Sequence, residues 1–268
     1  MHIRAKKVVL IIADLCLAAY VVAAFSAFNE PEYEKRVCTD VNITVADATT
    51  NGFITSQEVQ ARLKELHLYP KGRSLAGVSC RKIEDALLAT PFVRTAECYK
   101  DEAGAVNVSI TQRLPVVRIK SVNSDDFYID DRDCIMPNSK YTSDLIIATG
   151  YISRSYATQY VSPLARKLMS DDFCRNLFQQ INITRDLGVE LIPRIGDNVV
   201  YLGHLPVSKV KAERAELINA FVDKKMKRLE AFYKYGLPIA GWNKYSEISL
   251  EFDNQIICKR ADEDGNGN

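Results

Sequence analysis

The sequence is poor in the groups that carry most enzyme chemistry. It has three histidines, His2, His67 and His204, and HExxH, GxSxG and P-loop spacings are all missing. A lone histidine at a helix end, where His67 falls, reads as a cap or a surface residue. Seven cysteines occur, Cys16, Cys38, Cys80, Cys98, Cys134, Cys174 and Cys258. They make no CxxC pair, which removes the usual zinc and thioredoxin spacings. From Cys38 to Cys258 they are too sparse for a disulfide-held miniature scaffold and read as small buried hydrophobes. One or two disulfides stay open as an alternative in an oxidising compartment. A net charge of +1 excludes a global field that would recruit nucleic acid. The acidic pairs Asp125-Asp126, Asp130-Asp131 and Asp171-Asp172 suit turns better than a cation, because neighbours on a strand point to opposite faces. The chain has no internal repeat and no low-complexity tract. The expectation is therefore no catalytic residue, no cofactor, no metal, no nucleic acid and no small-molecule substrate.

What the chain does have is a core-forming composition, 47% hydrophobic and 26% charged over 268 residues, enough for one large domain or two modest ones. Residues 8–28 (VVLIIADLCLAAYVVAAFSAF) hold one charge, Asp14, and eleven Val, Leu, Ile or Phe residues. Each of those contributes about −0.3 to −0.6 kcal/mol to insertion, against about +2.5 to +3.5 for a central Asp. The sum predicts a transmembrane helix, with a cleaved signal peptide as the rival reading. Arg4, Lys6 and Lys7 precede the run, and Glu30, Glu32 and Glu34 follow it. The positive-inside rule then predicts a single-pass inner-membrane protein with residues 1–7 cytoplasmic and the bulk periplasmic.

Beyond a charged linker at 29–36 the chain reads as folded. Val41, Ile43 and Val45 alternate as a strand. Thr55 and Glu58 open a helix striped by Val59, Leu63 and Leu66. A second helix starts at Ser79, faces inward through Ile83, Leu87 and Leu88, and stops before Pro91. Two strands follow, the second alternating at Val106, Val108 and Ile110. That order, βααββ, predicts a small α+β domain over residues 37–113. From 114 to 258 strands are predicted at 116–122, 127–130, 145–152, 189–195, 199–202 and 247–258. Helices are predicted at 159–181, with Leu177, Phe178 and Ile181 in phase, and at 208–235, with Val210, Leu217, Ile218, Phe221, Val222, Leu229 and Phe232 in phase. Lys224, Lys225, Lys227 and Arg228 read as the solvated face of that long helix, or as a contact for anionic lipid or an acidic partner. Residues 259–268 read as a disordered tail.

Several stretches together resemble the FtsQ/DivIB cell-division family. Residues 83–119 carry Pro91-Phe92-Val93, the Gly104 turn into an alternating strand, and Gln112-Arg113-Leu114-Pro115-Val116, similar to the end of that family's POTRA domain. Gln112 stands where the family usually has an acid. Tyr128-Ile129-Asp130 with Cys134-Ile135-Met136 resembles its Asp-x-x-Gly turn without the glycine. Gly196 to Gly203 is similar to its Val-x-Leu-Gly hairpin. Ile248 to Gln255 is similar to its last strand, with departures at Ser249, Glu251 and Phe252. The resemblance implies a POTRA domain, a larger β domain, a mixed sheet with long helices, and a non-enzymatic role linking early and late division proteins, with FtsB and FtsL as partners. It also implies that FtsB adds a strand along the last edge of the sheet. The candidate partner residues are Glu247, Ile248, Ser249, Leu250, Glu251, Phe252, Gln255 and Ile256. The alternative is an exported envelope enzyme or secreted protein with a POTRA-like module.

Overall fold

A computed structural model of the protein describes residues 13–24, 36–46, 52–139 and 145–261. Residues 13–24 form helix α1. Among the described residues no helix is long and apolar enough to cross a membrane. This corrects the transmembrane helix expected at 8–28 and, with it, the single-pass inner-membrane placement built on that span. Summing hydropathy counts the whole run as one helix, whereas the described helix covers only its middle. Residues 8–12 and 25–28 lie outside the described residues.

The chain divides into two compact units. The first comprises the described parts of Met1–Thr44, with Ser56–Leu87 and Ala96–Ile110. Its order is β1 (Val41–Val45), α2 (Ser56–Glu65), α3 (Cys80–Leu88), β2 (Val93–Lys100) and β3 (Val106–Gln112), and the sheet runs β1-β3-β2. Val59 and Leu63 of α2 and Ile83 and Leu87 of α3 are buried, as are alternate residues Val106, Val108 and Ile110 of β3. The Ser79 side chain caps α3, accepting from the Lys82 N–H at 3.4 Å. Leu66 and Leu88, expected inside, are exposed. α2 stops at Glu65 and His67 turns left-handed at φ 55°, which swings Leu66 off the stripe. Leu88 sits about 100° around the helix from Leu87.

The second unit comprises Val45–Thr55, Leu88–Thr95 and the chain from Thr111 onward. Its centre is a nine-stranded sheet ordered β12-β11-β10-β9-β8-β7-β4-β5-β6. The strands are β4 (Pro115–Ser121), β5 (Asp126–Asp130), β6 (Ile135–Pro137), β7 (Ile147–Gly150), β8 (Phe178–Ile183), β9 (Gly188–Pro193), β10 (Val199–His204), β11 (Tyr245–Ser249) and β12 (Ile257–Arg260). Three pairings are parallel, β4/β7, β7/β8 and β10/β11, and each needs a long crossover. Between β7 and β8 the chain runs through α4 (Arg154–Tyr156), a π-helical turn at Ala157–Val161, α5 (Ser162–Ser170) and α6 (Asp172–Leu177). Between β10 and β11 it runs through α7 (Lys211–Ala231), a second π-helical turn at Phe232–Gly236 and α8 (Leu237–Ala240). Leu164, Leu168, Ile218, Val222 and Leu229 of these helices share one core with Ile119, Ala148, Ile181, Leu191, Val200 and Ile248 of the sheet.

Phe178 and Ile181 belong to β8 and not to the helix expected through 181. The register of β8 shifts between Phe178 and Gln180, and a bulge puts residues three apart on one face. That spacing imitates helical phase. In α7, Ile218, Val222 and Leu229 are buried, but Val210 and Leu217 are exposed. Val210 precedes the first helical turn.

Candidate partner-binding edge

The segment expected as one strand over 247–258 is a hairpin. β11 ends at Ser249, the chain turns, and β12 returns antiparallel with Ser249 opposite Ile257 and Glu247 opposite Lys259. Glu247, Ile248 and Ser249 therefore lie between two strands, because Val199, Val200 and Tyr201 of β10 pair with them on the other side. The outermost strand is β12, which continues past the expected boundary at 258 to Arg260. Residues 262–268 of the expected tail lie outside the described residues.

The strand stops at Ser249 for local reasons. Ser249 Oγ accepts from the Glu251 N–H at 3.4 Å, and the Leu250 N–H donates to the Tyr201 carbonyl at 2.7 Å. Gly203 sits opposite with φ 85°, beside a register shift in β10, and a Cβ there would touch Glu251. Leu250 is buried, whereas Phe252 is half exposed and Glu251 and Gln255 are exposed. Ile256 packs partly against the core. The alternation expected along 248–256 fails because the backbone turns after Leu250.

Two cations of α7 hold this turn. Lys225 is buried, and its Nζ donates to the carbonyls of Leu250 at 2.5 Å and Glu251 at 2.8 Å. Arg228 donates through Nη2 to Leu250 O at 3.0 Å and through Nη1 to Phe252 O at 2.6 Å and Asp253 O at 2.5 Å. Lys224 pairs with Asp253 at 2.8 Å. Burial, with Arg228 beside it, pushes the Lys225 ammonium below its ordinary pKa. The Lys224 hydrogen bond holds the Asp253 carboxyl below its usual value. Part of the basic run expected to face solvent is thus turned onto backbone carbonyls. A window of sequence shows charge spacing but not the loop that comes back over it. The general signal was present in Lys225, which lies three and seven residues from the buried Val222 and Ile218.

On its outer side β12 has no neighbouring strand among the described residues. The Ala261 N–H donates inward to Lys244 O at 3.0 Å. Strand alternation then turns the Cys258 N–H to the open side. Ile257, Lys259 and Arg260 are exposed along it. Next to the turn lies a groove of about 680 Å³ bounded by Phe232, Tyr235, Asp253, Gln255 and Ile256. This arrangement offers backbone donors and acceptors, apolar surface and positive charge to an extended segment.

The acidic pairs are engaged with arginines and helix ends. Asp125 pairs with Arg154 at 3.0 Å, Asp126 with Arg118 at 2.8 Å and Asp130 with Arg113 at 2.7 Å. Asp131 pairs with Arg94 and Asp172 with Arg175. Asp171 caps α6, accepting from the Cys174 N–H at 2.9 Å. The His204 ring lies 3.0 Å from the carbonyl of Asp186.

No curated protein matches the chain. A family model described as a POTRA-like domain matches residues 36–111. A second, described as FtsQ/DivIB, C-terminal related, matches residues 114–259, which is more than half of the chain and takes in the whole nine-stranded sheet up to the third residue of β12. With both matches in this order, the chain belongs to the FtsQ/DivIB family of non-enzymatic cell-division scaffold proteins.

Proposed function

We propose that the chain is a divisome assembly protein that links early and late division proteins through protein–protein contacts, with the outer side of β12 as its partner site. Residues 37–113 act as its POTRA domain and 114–258 as the family's β domain, with the last hairpin running on to Arg260. FtsB supplies the added strand and FtsL accompanies it. The observation that carries the reading is the edge itself. β12 is outermost among the described residues, and its supporting turn is fixed to α7 by Lys225 and Arg228. A sheet edge held rigid in this way has little ordering entropy left to lose when a strand docks. Of the eight residues expected to make the contact, Phe252, Gln255 and Ile256 stand on the turn beside the edge. Glu247, Ile248, Ser249 and Leu250 act behind it by shaping the hairpin, with Glu251 at the bend.

Binding of FtsB to the full chain tests this. Proline lacks the N–H that a docking strand would use, so Cys258→Pro is expected to weaken FtsB binding at least tenfold. Circular dichroism must stay that of the parent chain. A folded Cys258→Pro chain that binds FtsB at full strength would remove β12 from the interface. If that variant unfolds, paired exposed substitutions at Ile257 and Lys259 to Asp give the same comparison without touching the ladder.

A further inference from the structure

The first unit brings two cysteines near each other, and the edge site uses neither. Cys80 opens α3 and Cys98 lies in β2. Glu84, one helical turn beyond Cys80, accepts a 2.8 Å hydrogen bond from the backbone N–H of Cys98. Helix residues four apart share a face, so the face bearing Cys80 and Glu84 lies over β2 at Cys98. There the Cys80 thiol is near enough to help raise the Cys98 pKa. Cys98 is buried, Cys80 is half-buried, and both are free. Among the described residues no three His, Cys, Asp or Glu side chains gather in a way that could hold a metal ion, so the pair is not half of a metal centre there.

We propose that Cys80 and Cys98 form a reversible disulfide tying the start of α3 to β2, made by exchange with a low-molecular-weight disulfide such as oxidised glutathione. The accessible thiol, Cys80, reacts first. Its thiolate attacks one sulfur of the oxidant, the oxidant's S–S bond breaks, and one glutathione leaves as a thiol. Cys98 then gives its proton to solvent and attacks the Cys80 sulfur. The second glutathione leaves as a thiolate and takes up a proton. Two protein thiols are oxidised, one oxidant disulfide is reduced to two thiols, and no other reactant is needed. Burial, the neighbouring Cys80 and the Glu84 carboxylate all raise the Cys98 pKa, and Lys100 only partly opposes them. The second step, which needs the Cys98 thiolate, therefore quickens as pH rises. The closed bond spans the α3–β2 connection and removes freedom from the unfolded chain.

The full chain incubated with oxidised glutathione, alkylated, digested without reductant and read by mass spectrometry tests this. The expected product is a Cys80–Cys98 crosslinked peptide that dithiothreitol abolishes. The oxidised chain should also melt several degrees above the reduced one, a shift lost in Cys80→Ser and in Cys98→Ala. Peptide mapping of the parent chain decides the matter even if a variant folds poorly. Three outcomes overturn the proposal: alkylation of both Cys80 and Cys98 after oxidation, glutathione retained on Cys80 with no onward exchange, or linkage of either to another cysteine.

Discussion

Arg113 Nε donates to Asp130 Oδ2 at 2.7 Å, and the Asp130 side chain is only 3% exposed. The same guanidinium reaches the carbonyls of Pro91 at 2.8 Å, Cys134 at 3.0 Å and Ile135 at 3.2 Å. Asp130 Oδ1 accepts from the N–H groups of Cys134 and Arg132 at 2.7 and 3.0 Å. One arginine fork and one carboxylate thus close the β5–β6 turn. Removing one partner of such a pair strands the other, at a cost of about 3–5 kcal/mol. Arg113→Ala is expected to lower the urea unfolding free energy by that much. Arg113→Lys should recover little, because one ammonium cannot replace the fork. A lysine variant as stable as the parent would show that charge alone suffices.

Lys225→Met keeps the length of the stem and removes the donor. The carbonyls of Leu250 and Glu251 would each lose a partner, a loss of about 1–3 kcal/mol. Amide exchange is expected to quicken across residues 250–256 while the α7 amides keep their protection. Unchanged exchange in the turn would mean that Arg228 holds it unaided.

Asp133 sets part of the acid limit. Burial works to raise its pKa, but hydrogen bonds from Arg166, Lys211 and Ser162 outweigh that and leave it below the ordinary 3.8. The Arg166 and Lys211 nitrogens lie 2.6 and 2.7 Å from its carboxylate. A carboxyl whose folded pKa is depressed contributes stability that is complete above its unfolded value and is lost as pH falls through the folded one. The urea midpoint should therefore hold from neutral pH to about 5 and fall below about 4. Asp133→Asn should start lower at neutral pH, by roughly 1–3 kcal/mol, and decline less steeply in acid. Equal acid slopes for the two proteins would assign the limit to other carboxylates, such as Asp126 and Asp171, which are also depressed.

Leu63 and Leu87 are both fully buried in the first unit. Leu→Ala at either should cost about 2–5 kcal/mol, visible as an earlier thermal transition. Leu66→Ala and Leu88→Ala, at the exposed neighbours, should change it little. Equal effects at Leu63 and Leu66 would contradict the packing of α2.

The βααββ order was legible because each element buries one face, so the period of Val59, Leu63, Ile83 and Leu87, and of Val106, Val108 and Ile110, carries the information. The nine-stranded sheet was less legible, since a bulge at Phe178 counterfeits helical spacing and parallel neighbours such as β10 and β11 are separated by forty residues. The turn after Asp130 was recognised despite its missing glycine. Asp133 takes the left-handed position at φ 64°, a conformation that Asp tolerates better than most residues. At the candidate site, the sequence marked a strand over 247–258, where the structure has β11 and β12 at one end of the sheet. It hid the return strand, because a short reversal at 252–254 carries no glycine or proline to mark it. In the N-terminal run, hydropathy measures transfer and not the extent of regular backbone, and among the described residues no helix there is long and apolar enough to cross a membrane.

Because β11 follows β10 only by way of α7, the C-terminal hairpin reaches its place beside β10 only once that long helix has folded back. The outer edge therefore takes its place in the sheet only after the β10–β11 crossover has closed. A chain interrupted before Tyr245 has no β11 against which β12 could be laid. The hairpin's place in the sheet thus depends on segments far apart in sequence, so its docking carries the entropy of closing the whole α7 crossover.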